Sequence, residues 1–104
     1  MNNSKYINNE IDFIIEKVPG TYKFVEAKTG NLFKSAKSLL ELGSDGKKIT
    51  KQLELISDLR KAGEKVSYEL VTPYNLNKKL KADILEKAKE LGLDASKINI
   101  KQSK

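Results

Sequence analysis

The stretch YKFVEAKTG, residues 22–30, sets an acid and a base two residues apart in an otherwise apolar run. On an extended chain Glu26 and Lys28 share a face, with backbones about 7 Å apart, so both head groups can meet one ligand. Asp12 lies in the preceding apolar run, and Glu10 shares its strand face. Two or three carboxylate oxygens beside an ammonium suit a hard cation such as Mg²⁺ at a phosphodiester. There the cation polarises the phosphoryl oxygen and lowers the pKa of an attacking water, while the ammonium positions that water or stabilises the transition-state charge. The competing reading is an exposed same-face ion pair that contributes little. The sequence has neither histidine nor cysteine. Any chemistry therefore falls to carboxylates, lysines and hydroxyls, and disulfides and thiolate metal sites are excluded.

Positioning these groups requires a hairpin. Residues 10–16 alternate with period two, Pro19-Gly20 marks a turn, and residues 21–28 resume the alternation with Tyr22, Phe24, Glu26 and Lys28 on one face. A plain two-residue turn would set Asp12 opposite Ala27, on the wrong side of the sheet. The acids converge only if an odd loop or a bulge shifts the register, for example a three-residue loop with Gly20 in the left-handed region.

Beyond Thr29-Gly30-Asn31 the spacing turns helical: Leu32, Phe33, Ala36, Leu39 and Leu40 mark one helix, broken at residues 43–46. Ile49, Leu53, Ile56 and Leu59 mark a second, ended by Gly63, with Thr50 as a candidate N-cap. Residues 66–72 form a strand stopped by Pro73, residues 80–91 a last helix closed by Gly92, and residues 98–100 a short final strand. The order β-β-α-α-β-α-β predicts one α/β domain over residues 1–104, with a mixed sheet, flanking helices and loosely ordered tails at 1–4 and 102–104. No apolar run approaches the length of a membrane span, and residues 1–15 lack the pattern of a signal peptide.

The net charge of +6 is carried by the second half of the chain. Lys47, Lys48 and Lys51, and Lys78, Lys79 and Lys81, would suit a phosphate backbone or form solvated helix faces. Gln52 falls on the apolar stripe of its helix, where a buried amide needs partners. Tyr22, Tyr68 and Tyr74 read as strand packing more than as base-stacking platforms. Two acid-x-Lys triplets occur: Glu26-Ala27-Lys28 in a strand and Asp45-Gly46-Lys47 in a loop. The triplet alone is a weak signal; the strand, the hairpin and the preceding Asp12 add to it.

Asp12 followed by Val25-Glu26-Ala27-Lys28-Thr29-Gly30 and then Thr50-Lys51-Gln52 resembles the PD-(D/E)XK nuclease superfamily. Within it, the chain is most similar to the small C-terminal nuclease domains of polymorphic and contact-dependent growth-inhibition toxins. The resemblance covers residues 10–72 and implies a restriction-endonuclease-like fold. It also implies Asp12 and Glu26 as metal ligands, Lys28 at the water or transition state, and Gln52 as an auxiliary group. Ile11 stands where the family often has proline. Glu10 would replace the acid that the family draws from a helix before the hairpin. The implied activity is a Mg²⁺-dependent endonuclease, with Mn²⁺ or Zn²⁺ as other candidate ions, acting on DNA or on a structured RNA such as tRNA. Of these, tRNA is slightly favoured as the substrate because so small a basic domain lacks the accessory elements that read duplex sequence. Further implications are a cognate immunity protein as partner, and secretion within a larger toxin that reaches the target-cell cytoplasm. The rival readings are a dimeric repair nuclease of the resolvase type and a non-catalytic basic module that binds nucleic acid.

Overall fold

The computed structural model describes residues 13–103. Four strands form one sheet in the order β1-β2-β3-β4: β1 Phe13–Val18, β2 Thr21–Ala27, β3 Lys65–Thr72 and β4 Ile98–Gln102. The β1–β2 pair is antiparallel, while β2–β3 and β3–β4 are parallel, so the sheet is mixed. Each parallel step needs a long crossover. The first carries helices α1 (Leu32–Ser35) and α2 (Ser44–Lys61), and the second carries α3 (Lys78–Glu90). This is the α/β architecture with a mixed sheet that the sequence predicts. Among the described residues no helix is long and apolar enough to cross a membrane.

Alternation decides which sheet face is buried. Phe24 pairs with Tyr68, and Tyr68 with Ile98; all three are buried in the core with Val66 and Leu70. Onto this face pack Ile49, Leu53 and Ile56 of α2 and Leu80, Ile84 and Ala88 of α3. Polar tethers fix the helices at their ends. Ser57 Oγ donates to the Leu91 carbonyl at 2.6 Å, and Arg60 Nη1 to the Val66 carbonyl at 2.7 Å. The Asn77 side chain caps α3 by accepting from the Lys79 N–H.

The shifted register expected of the hairpin is present, as a bulge and not as an odd loop, and two other local expectations are corrected. The hairpin closes as a two-residue turn, Val18 opposite Thr21, with Gly20 at φ 84°. The register shift comes instead from a bulge between Glu16 and Val18, after which Glu16 pairs with Tyr22 and Ile14 with Phe24. The helix expected over residues 32–40 is only four residues long: Ala36 turns extended (ψ 143°), and a 3₁₀ turn follows at Leu40–Leu42. Finally, Gly46 does not break the chain, because α2 begins at Ser44, and Thr50 is an interior residue whose hydroxyl donates to the Gly46 carbonyl rather than an N-cap.

Candidate active site

The C-terminal ends of parallel strands are where α/β sheets present their ligand sites, and Glu26 stands at the end of β2. Its side chain is only 1% exposed. Alternation turns it to the helix-covered face with Phe24, so burial is set by the strand and not by a charge partner. A buried carboxylate is costly unless it is paired and hydrogen-bonded, and its surroundings meet that demand. Gln52 Nε2 donates to Glu26 Oε1 at 2.7 Å, and Tyr68 Oη donates to Gln52 Oε1. Gln52 and Tyr68 are fully enclosed, so this line of bonds fixes the rotamer of Glu26 from the core side.

Glu26 Oε2 faces the lysines. Lys28 Nζ lies 2.9 Å away and Lys48 Nζ 3.5 Å away. Both make ion pairs, and among the described residues the buried Oε2 accepts no hydrogen bond. Lys28 is itself 12% exposed and reaches a second carboxylate, Asp45 Oδ1, at 3.2 Å. Burial pulls its ammonium towards neutrality, but pairing with the Glu26 and Asp45 carboxylates outweighs that and holds its pKa above the ordinary lysine value. Lys28 is therefore a cation across the neutral range.

The backbone holds this arrangement in place. The Lys28 N–H continues the β2–β3 ladder by bonding the Val71 carbonyl at 2.8 Å. Tyr74 Oη donates to the Thr29 carbonyl and Asn31 Oδ1, pinning the loop after β2. On α2, Asp45, Lys48 and Gln52 follow the three- and four-residue spacing of one helix side.

Of the sequence-derived site residues, Glu26, Lys28 and Gln52 come together. Asp12 and Glu10 lie outside the described residues. The exposed ion pair offered as the competing reading is corrected, because Glu26 is enclosed. Of the six lysines assigned to phosphate contact, Lys48 is set against Glu26; Lys47 and Lys51 stand exposed on α2, and Lys78 and Lys79 at the start of α3. Lys81 reaches Asn75 at 3.4 Å. Asp45 and Tyr68 were missed as site residues, and Lys48 was assigned to phosphate contact and not to Glu26. Their signal is the 45-48-52 helical spacing, hidden because Gly43 and Gly46 read as a break. Among the described residues no three acidic side chains gather as a metal-binding group.

No family model, curated protein or solved structure matches the chain.

Proposed function

We propose that the protein is a metal-dependent endonuclease of restriction-endonuclease-like fold, with Glu26 and Lys28 at its reactive centre. The observation that carries this reading is the convergence of Glu26, Lys28 and Gln52. The end of β2 supplies Glu26 and Lys28 and α2 supplies Gln52, and they meet at one buried carboxylate. Perturbed and enclosed ionisable groups of this kind cluster at functional sites.

The residues fit a divalent cation. Glu26 Oε2 is a buried carboxylate oxygen that accepts no hydrogen bond among the described residues, and hard cations take carboxylate oxygens. The bulge sets Phe13 opposite Val25 and Ile14 opposite Phe24, the shifted register that the metal-site reading asks of this hairpin. On the resemblance, Asp12 and Glu10, which lie outside the described residues, would hold Mg²⁺, or Mn²⁺ or Zn²⁺, together with Glu26. The ion supplies a polarised phosphoryl oxygen and a more acidic water. Lys28, kept protonated by two carboxylates, serves as a donor to developing negative charge and not as a proton acceptor. Gln52, locked by Tyr68, orients Glu26. Lys78, Lys79 and Lys81 supply phosphate contacts along the strand being cut.

The biological reading follows the resemblance: a toxin domain secreted within a larger protein, acting on tRNA or DNA in the target-cell cytoplasm, and held in check by an immunity protein. One observation favours the non-catalytic alternative: Lys28 and Lys48 already neutralise Glu26. Incubation with total tRNA and with plasmid DNA, in Mg²⁺ or EDTA, separates the two. Mg²⁺-dependent cleavage of either substrate supports the nuclease, whereas binding without cleavage under both conditions supports the basic module.

A further inference from the structure

Leu40 sits on the 3₁₀ turn between α1 and α2 and is 89% exposed, more than any other large apolar residue among the described ones. It borders an open groove of about 620 Å³ whose wall and floor are formed by Leu39, Leu40, Gly43 and Gly46, with the stems of Lys47 and Lys51 along its rim. Thr50 also lines it, but its hydroxyl is turned away to the Gly46 carbonyl, which leaves its methyl as the free end.

This turn is a braced platform. A β-carbon on Gly46 would come within 2.0 Å of the Leu39 carbonyl oxygen, so only glycine lets α2 lie this close beneath the turn. From the other side Asp83 Oδ2 accepts the Leu39 N–H at 2.7 Å, and Ser38 Oγ accepts the Glu41 N–H at 3.2 Å. An exposed leucine held rigidly at the edge of an apolar groove is pre-organised for contact, with little ordering cost on binding.

The groove also lies on a different side of α2 from the reactive cluster. Asp45, Lys48 and Gln52 project towards Glu26, whereas Gly43, Lys47, Thr50 and Glu54 line the groove half a helical turn away. A second copy of this chain is a poor occupant: it would bring like charges against Lys47 and Lys51, and each copy carries +6. A nucleic-acid strand would satisfy the lysines, but the groove offers aliphatic side chains and no aromatic face for a base. The rim sets Lys47 and Lys51 against one acid, Glu54, so it is net cationic around an apolar floor and matches a polypeptide that presents a leucine- or phenylalanine-type side chain between carboxylates.

We infer that the Leu39–Leu40 groove beside α2 is a docking surface for an acidic polypeptide segment, separate from the Glu26 centre. The inference stands on the groove alone and does not require the nuclease reading. The test uses the full chain, ¹⁵N-labelled, titrated with an amphipathic peptide of about four helical turns bearing leucines on one face and glutamates elsewhere. Its counterpart carries lysines in place of the glutamates, and an oligothymidylate forms a third arm. Saturable shifts should centre on residues 39–47, with about tenfold weaker binding in Leu40→Asp and in Lys47→Glu/Lys51→Glu. The lysine peptide should bind the wild-type chain more weakly than the glutamate peptide. Equal binding of both peptides, shifts centred on Glu26 and Lys48, or undiminished binding by the folded Leu40→Asp chain would overturn the inference. So would displacement of the peptide from the groove by the oligothymidylate, or contacts from residues 1–12 to the Leu40 methyls in the free protein.

Discussion

Removing the lysine beside Glu26 should cost more stability than removing the acid. In Lys28→Met the aliphatic stem survives but the ammonium 2.9 Å from Glu26 Oε2 is lost. At an effective dielectric of about 20, that separation corresponds to about 6 kcal/mol of gross attraction. Part of it is offset because Lys28 no longer has to be desolvated. Breaking a buried pair from one side typically costs about 3–5 kcal/mol, since a charge is left without its partner. Lys48 remains 3.5 Å away, although at 41% exposure its charge is screened, so we expect a loss of about 2–3 kcal/mol. Glu26→Gln differs: the amide can still accept from Gln52, and Lys28 keeps Asp45. Its change should stay within about 1 kcal/mol. Urea unfolding followed by circular dichroism measures both, with an unchanged m-value as the control for the unfolded state. The double variant should regain at least about 1 kcal/mol over Lys28→Met alone. Equal losses in the two single variants, or a Lys28→Met loss below about 0.5 kcal/mol, would show that Glu26 is not a buried charge awaiting compensation.

Further outcomes follow from the same geometry. Tyr68→Phe removes the hydroxyl that donates to Gln52 Oε1 and should cost about 1 kcal/mol in urea unfolding. Gly46→Ala drives a methyl into the Leu39 carbonyl and should cost about 3 kcal/mol or more, read as a fall in the unfolding midpoint. Because the Lys28 pKa is raised in the folded chain, its contribution is complete below the unfolded value near 10.5 and disappears as pH climbs through the folded one; Lys28→Met should flatten that alkaline limb of the stability–pH curve. Glu69 behaves in the opposite sense. Burial raises its pKa, but Asn99 and Lys23 lower it further, so its contribution is present above about 4.5 and lost as pH falls through the depressed value. Glu69→Gln should flatten the acid limb.

Much of the fold was legible because period-two and helical spacings differ sharply at strongly patterned segments. Ile49, Leu53 and Ile56, like Leu80, Ile84 and Ala88, pack as their spacing predicts. The failures share one cause, tertiary contact overriding a local signal. Gly46 looks like a breaker in isolation and is instead a packing glycine in the first turn of α2. That hid Asp45 and Lys48 from the helix face where they meet Lys28 and Glu26. The 32–40 spacing looked helical, yet Ala36 leaves the helix, and Asp83, 44 residues from Leu39 in sequence, caps the segment. At the hairpin the need for a register shift was readable, but its place at Lys17 was not, since a bulge has no fixed residue signature in β1. Tyr68 read as packing, which it is; its hydroxyl's partner on α2 could emerge only once helix and strand were docked.

The most direct test compares cleavage of tRNA and plasmid DNA, in Mg²⁺, by the wild-type chain and by Glu26→Gln at matched folded fractions. The account predicts Mg²⁺-dependent cleavage by the wild type and its loss, by at least about a hundredfold, in a variant as stable as the parent. Undiminished cleavage by folded Glu26→Gln would contradict it.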